Sequence, residues 1–386
     1  MEVWLNISAW NALRTGLSAS LFSFFNLMLF SLMNVLGVYL IRDIHLQAAS
    51  LGFLASWDLW GNVIGFIPIG ILLDRYPIRR IAITLFSIAI LATIALAYTK
   101  SLWILCLLRF LQGLASASSL LILMRIGTAL VPGHANKVIG LMIFFALAGG
   151  IAGNVLFARM AAIIGWQHAL LMIAAIGFIF LIIVIFNLYF DEQRVKQTQF
   201  NIVFSKHAIL SGLHIGILSA PVFVLASLFG NQYLMTQFQL SLSEAAEISS
   251  LIFLGIMLGS PVIGWLADFM SNIKLLYLGY LTLILMTGLL SLNLSNQYDI
   301  LAVMFMGMGI ASCTQNLIYP LIYQRHPAAR STAMGVASLV SNGIGVLLQI
   351  AVGIFMQYIP QHSVALFVVM ISIYIIGLIA CLGLNK

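Results

Sequence analysis

Charge is what this sequence has least of. Only 7% of its 386 residues are Asp, Glu, Lys or Arg, against roughly a quarter in a soluble domain. With 62% hydrophobic residues and a mean hydropathy of +1.11, the chain has more apolar surface than a single core can hide, which excludes a fold facing water on all sides. Cysteine is scarce too. Cys106, Cys313 and Cys381 each stand alone in an apolar run, without metal-ligand spacing, and read as small buried hydrophobes rather than disulfide or metal partners. The chain contains no H-E-x-x-H, no G-x-S-x-G and no glycine-rich phosphate loop. These absences argue against an intramembrane enzyme and against an ATP motor within the chain. No cofactor and no metal are expected. The net charge of +7 does not imply a nucleic-acid partner, because the basic residues sit singly or in small groups between apolar runs, as in membrane loops.

What is present is length in apolar runs. A spanning helix needs about 20 apolar residues, and the charge-poor stretches divide into twelve: 18–41, 51–73, 81–99, 102–124, 138–158, 167–190, 208–233, 246–267, 275–293, 299–323, 332–357 and 364–384. The last two are split at QYIPQHS, where Pro360 signals a turn. The start does not read as a signal peptide. MEVWLNISAWNALRTG reads as a short interfacial helix with Trp4 and Trp10 at headgroup depth. Lys and Arg prefer cytoplasmic loops. With the N-terminus inside, thirteen of them fall in inner segments and only Arg42, Lys100 and Arg159 in outer loops, which sets both termini in the cytoplasm. The longest polar stretch begins at DEQRVKQTQF, so the expected organisation is an N-terminal six-helix bundle (1–190), a cytoplasmic linker (191–206) and a C-terminal six-helix bundle (207–386).

The halves repeat. GNVIGFIPIGILLD (61–74) and GIMLGSPVIGWLAD (255–268) agree at six of fourteen positions, including Gly61/Gly255, Gly65/Gly259, Gly70/Gly264 and Asp74/Asp268. The same offset of 194 pairs Gly113 with Gly307, so span 2 corresponds to span 8 and span 4 to span 10. Two homologous halves with a site between them form a transporter architecture.

GILLDRYPIRR (70–80) resembles the G-x-L-x-D-R-x-x-x-R-R signature of the major facilitator superfamily, at its usual place between spans 2 and 3. LRFLQG (108–113) resembles that superfamily's second signature in span 4, and GWLADFMSNIK looks like the degraded copy after span 8. The resemblance covers the whole chain and implies an all-α membrane protein with twelve spans in two pseudo-symmetric bundles. Span 5 reads ALAGGIAGN, with Asn154 where the superfamily's drug/proton antiporters carry proline. LSAPVFVLASLFGNQYL and the segment after it resemble the proteobacterial intraphagosomal amino-acid transporters.

Candidate functional residues follow. The cluster Asp74, Arg75, Arg79 and Arg80 reads as a gate latch in which Asp74 meets the start of a helix of the other half, span 11. Gly70 lies beside it, and Gly264 and Asp268 are its second-half counterparts. The bland alternative is that the basic residues only set topology. Charge inside a span is costly and usually functional. Asp58 and Arg109 lie at equal depth, about 10 Å from the outer ends of spans 2 and 4. They read either as a proton-exchanging pair or as a static packing pair, and Arg109 alone could bind a substrate carboxylate. His214 in span 7 is a second coupling candidate. Ser312, Gln315, Asn316, Tyr319 and Tyr323 fall on one face of span 10; Asn26 and Asn34 fall on one side of span 1, and Gln112 lies below Arg109. The resemblance implies that spans 1, 4, 7 and 10 line a central cavity. The expected function is proton-coupled transport of a small polar solute, an amino acid or similar nutrient, by a monomer in the lipid of a bacterial inner membrane. The alternative is an exporter of drugs or a siderophore.

Overall fold

The computed structural model describes residues 9–130, 135–188, 205–292, 297–325, 330–358 and 362–381, and among them all regular structure is helical. The order is α1 (Ala9–Ser31), α2 (Met33–Ile44), α3 (Ala48–Arg75), α4 (Ile78–Tyr98), α5 (Leu102–Leu130), α6 (Ala135–Ile164), α7 (Trp166–Asn187), α8 (Lys206–Leu218), a π-helix (Pro221–Phe229), α9 (Gly230–Phe238), α10 (Leu242–Leu266), α11 (Asn272–Ser291), α12 (Tyr298–Ser312), a 3-10 turn (Cys313–Leu317), α13 (Ile318–Arg325), α14 (Arg330–Tyr358) and α15 (His362–Ala380). Helices are what a lipid environment demands, since every backbone N–H and C=O must be bonded within its own segment. Among the described residues ten helices are long and apolar enough to cross a membrane. An eleventh span is the pair of segments Lys206–Leu218 and Pro221–Phe238, bent by 42°, and α15 is apolar over Leu366–Ala380. Most of the expected linker, residues 191–204, and the turn at Pro360 lie outside the described residues.

The start differs from expectation. Trp4 lies outside the described residues, but residues 9–16 are no separate interfacial helix: they continue into span 1 as the first turns of α1. Gly16 alone does not break a helix whose other residues hold their i−4 bonds, and Thr15 and Ser18 are already buried there.

The duplication is visible in the backbone. His45 and Gln239 are the two non-glycine residues with left-handed backbone among those described, at φ 58° and 54°. They end α2 and α9, the last helices of spans 1 and 7, at the offset seen in the sequence. In each case the next span starts three residues on, at Ala48 and Leu242; in the second half that start is a capping box, Ser241 and Glu244 each accepting from the other's backbone N–H.

Glycine sets the main crossings. A Cβ on Gly61 would overlap the Phe110 carbonyl and Gly113, so α3 and α5 meet backbone to backbone; Gly255 meets the Met306 carbonyl and Gly309 in the same way, joining α10 to α12. The partner of Gly113 in the second half is therefore Gly309, not the Gly307 expected from a constant offset. Gly307 faces Met286 instead, because the repeat slips by two residues between spans 2/8 and spans 4/10.

The halves meet closely on one side, the side carrying His45 to Gln47. There Gly52 of α3 packs on the Gln349 carbonyl and Gly353 of α14, and Gly345 packs on Leu59 and Phe223. The Ala49 N–H reaches Gln357 Oε1 at 3.3 Å, Gln357 Nε2 donates to Gln47 Oε1 at 2.9 Å, and Arg159 pairs with Glu247 at 2.6 Å. Beneath them Phe30, Leu59, Phe223 and Val346, two from each half, form a small apolar plug, with Phe30 edge-on to Phe223 at 6.5 Å. Toward the opposite side, which carries Tyr76 and Pro77, Asp74 of the loop cluster pairs with Arg125 at 2.9 Å and Arg79 donates to the Ile185 carbonyl, both partners lying in the same half.

Candidate functional site

Asp58 and Arg109 are brought together. The close α3–α5 crossing places the Asp58 backbone on Gly113, one helical turn beyond Arg109, so the guanidinium folds back beside the carboxylate. Asp58 is 2% exposed and Arg109 1%, yet the ion pair is loose, with Asp58 Oδ1 3.4 Å from Arg109 NH2. That is longer than the roughly 2.7–2.9 Å of a charge-assisted hydrogen bond. Arg109 makes its shorter bonds to neutral acceptors: NH1 donates to the Leu29 carbonyl at 3.0 Å and to Gln112 Oε1 at 2.9 Å. Gln112 Nε2 donates to Thr93 Oγ1, and Thr93 donates on to the Ala89 carbonyl. Asp58 Oδ2 and Arg109 Nε are buried without a hydrogen-bond partner. The arginine is thus held by α1 and by the Gln112–Thr93 chain, and among the described residues the one ion-pair partner of the aspartate is the arginine.

Among the described residues the second half has no such pair. By the glycine contacts, Ile252 stands where Asp58 stands, its carbonyl against Gly309, and Phe305 stands one turn before Gly309 as Arg109 does before Gly113. Both are fully buried. The same crossing is therefore built with an apolar pair, and the charges are not needed to make it.

His214 points into the second bundle: its Nδ1 lies 2.8 Å from Tyr280 Oη on α11 and 3.9 Å from Cys381 Sγ, while Nε2 is buried without a partner. The polar residues expected to line the cavity divide. On α1, Ser23 donates to the Ser119 carbonyl of α5. Asn26 is one turn on; its Nδ2 bonds the Phe22 carbonyl and its buried Oδ1 has no partner. Gln315 Oε1 accepts from Ser219 between the 3-10 turn and the end of α8. Asn316 turns the other way and donates to Ser260 of α10 at 3.1 Å. The 3-10 turn Cys313–Leu317, tighter than an α-turn, separates these two neighbours. Tyr319 is half-buried, Ser312 Oγ is buried without a partner, and the side chain of Tyr323 lies outside the description. Asn34 spends its amide on the second half, within 3.2 Å of the Leu225 and Ala226 carbonyls, Asn231 Oδ1 and Ser249 Oγ.

In the loop cluster Asp74 binds Arg125 of its own half, and among the described residues no bond joins it to α14. Arg75 and Arg80 are exposed; Gly264 has nothing within 4 Å of a Cβ placed on it, and Asp268 is exposed just past the end of α10. Residues the sequence reading did not single out as functional are Thr93, Asn231, Ser249 and Gln349, and Asn154 only as a departure from a proline. Each is a buried polar group within a long apolar run, a signal that could have been followed.

The description Major Facilitator Superfamily belongs to the family model that matches residues 19–231 and 213–385. Among curated relatives, the 4-hydroxybenzoate transporter PcaK of Pseudomonas aeruginosa is 23% identical over 348 residues, 79% of this chain and 77% of PcaK. YybO of Bacillus subtilis, described as an uncharacterized transporter, is 28% identical over 197 residues, 49% of this chain; the match spans only 43% of YybO's own length. Among solved structures, a point mutant of the nucleoside transporter NupG superposes with a TM-score of 0.80 at 15% identity, over 96% of this chain and all of that one. A bacterial homologue of the human lysosomal transporter Spinster, in an inward-facing and unoccupied conformation, gives 0.74 at 16% identity over 98% and 97% of the two chains. At these identities the superpositions speak to the fold.

Proposed function

This chain belongs to the major facilitator superfamily, and from that premise we propose that it is a proton-coupled secondary transporter that moves a small polar organic solute across a bacterial inner membrane by alternating access. The side closed by α2, α3, α9 and α14 is the periplasmic one, in keeping with the loop charges, so the molecule is in an inward-open state. Two expected elements then fit together. The latch residue Asp74 sits with Arg125 because the cytoplasmic side is open; it exchanges that partner for the start of α14 when this side closes. Asp74→Ala slows transport several-fold at unchanged expression, and unaltered uptake would leave the cluster only its topological role.

The observation that carries proton coupling is the asymmetry of the two crossings. A buried ion pair is often no more stabilising than a well-packed apolar pair, and Ile252 and Phe305 supply that alternative in the second half. Keeping charge in one half alone points to use. Because Arg109 has neutral acceptors of its own, Asp58 can take up a proton without stranding the guanidinium. His214, bonded to Tyr280 inside its bundle, is the weaker candidate.

For the solute, the groups toward the centre are neutral: Asn26 and Gln315 offer amides, Tyr319 a phenol, and Phe30 and Phe223 an aromatic roof. Arg109 is already bonded and is no fixed carboxylate anchor in this state. A zwitterion or weak acid with an apolar body suits these groups, and amino acids head the series. The test is a thermal-shift screen of purified protein with amino acids, 4-hydroxybenzoate, nucleosides, siderophores and cationic dyes. A ligand at 100 times its Kd adds about 2.7 kcal/mol of stability. A shift with amino acids or the aromatic acid supports import of a nutrient; a shift only with siderophores or amphiphilic cations overturns it in favour of export.

A further inference from the structure

The π-helix Pro221–Phe229 lies where the two halves meet. π-turns are rare and concentrate at functional places. Here the register is displaced: the Gly230 N–H bonds the Leu225 carbonyl, one residue earlier than an α-turn would take, and a Cβ at Gly230 would overlap that carbonyl. Side chains from three other elements take up the polar backbone groups of this segment. Asn34 Nδ2 is 2.9 Å from the Leu225 carbonyl and 3.2 Å from that of Ala226, and Asn34 Oδ1 accepts from the Asn231 N–H at 3.0 Å. Asn154 Nδ2 donates to the Ala226 carbonyl at 2.8 Å. Gln349 Nε2 donates to the Phe223 carbonyl at 3.0 Å. Ser249 Oγ donates to Asn231 Oδ1 at 2.6 Å and so fixes that side chain. Asn34, Asn154, Asn231, Ser249 and Gln349 are all 1% exposed or less.

The direction of these bonds matters. Asn34 and Asn154 come from α2 and α6 of the first half; their partners belong to the second. Neither set can separate on this side while the bonds stand, and the apolar plug of Phe30, Leu59, Phe223 and Val346 packs against the same segment. We propose that Asn34 and Asn154 are gate residues that hold the closed side of the transporter shut by gripping the π-segment, with Asn231, Ser249 and Gln349 positioning what they grip, and that the grip is released and remade in each transport cycle. This rests on the alternating-access reading above. The chemistry suits a reversible closure. Neutral amide-to-carbonyl bonds can be handed over to water when the side opens, whereas an apolar seam alone would leave the register of reclosure unspecified.

Leucine matches asparagine in branching and in number of heavy atoms but makes no hydrogen bond, so Asn34→Leu and Asn154→Leu are the direct tests. The reporter is Ile350→Cys, a half-buried α14 position beside the plug, probed with a membrane-impermeant maleimide from the closed side in intact cells. The three native cysteines are buried, and protein without the reporter is the control. Labelling is expected to rise roughly tenfold in each leucine variant, about the shift that losing one buried hydrogen bond gives a two-state equilibrium. Ser249→Ala, the mildest change, is expected to raise labelling less but in the same direction, and it decides the matter if the leucine variants do not fold. Unchanged labelling beside a lowered Tm overturns the proposal and leaves the amides as static packing. Solute counterflow by the unmodified protein separates the two levels. If counterflow is present and labelling does not respond, the grip alone is wrong; if counterflow is absent, the alternating-access reading has failed.

Discussion

Asp58→Asn abolishes accumulation driven by a pH gradient and leaves counterflow intact. Asparagine has the size of aspartate and can still accept from Arg109 NH2, so the α3–α5 crossing survives. It cannot titrate. A one-unit pH gradient is worth about 1.4 kcal/mol per proton, or about tenfold accumulation of a solute carried with one proton. The unmodified transporter, reconstituted with the outside acid, should approach that ratio; the Asp58→Asn variant should only equalise label across the membrane. Exchange of labelled for unlabelled solute needs no net proton movement and should continue. Full accumulation by the variant would move coupling elsewhere, with His214 next in line.

The second large effect concerns stability. Arg109→Met leaves the Asp58 carboxylate 2% exposed with no cation beside it. Breaking one partner of a buried pair costs about 3–5 kcal/mol; protonation of Asp58 limits that loss, so it falls below this range at acidic pH and is fullest at alkaline pH. The double variant Asp58→Ile with Arg109→Phe copies the pair found at Ile252 and Phe305. It is expected to recover most of the loss, less the bonds that Arg109 gave to Gln112 Oε1 and the Leu29 carbonyl, and to remain uncoupled. Thermal unfolding in detergent at two pH values measures both. A double variant as unstable as the single one would show that the ion pair is a structural requirement of the first half.

Much of this was legible beforehand. Apolar runs of spanning length follow from composition alone, and Gly61 and Gly255 mark the close crossings because only glycine lets two backbones touch there, while Gly65 and Gly259, one turn on, make room for Leu114 and Cys313. Equal depth was enough to pair Asp58 with Arg109, since both lie on helices that the glycines bring together. Depth and helical phase fail where the helix is not regular. The 3-10 turn sends Gln315 toward Ser219 and Asn316 toward Ser260, so a stripe counted at 3.6 residues per turn does not hold across it. Asn34 looks like a cavity residue on a helical wheel, yet its partners are the carbonyls of a π-segment almost two hundred positions away. No local pattern announces a π-turn, and the Ala226 carbonyl can be gripped only once the halves are assembled. The latch partner of Asp74 depends on state: the same sequence supports Arg125 now and, by the proposal above, α14 in the opposite conformation.

The most direct test of the central claim is paired accumulation and counterflow of one labelled solute in proteoliposomes, with the solute chosen by the thermal-shift screen. The account predicts uphill accumulation under an inward proton gradient, its collapse by a protonophore, and counterflow that persists without any gradient. Flux that only follows the label's own concentration difference, with no acceleration by unlabelled solute trapped inside, would contradict alternating access and describe a channel instead.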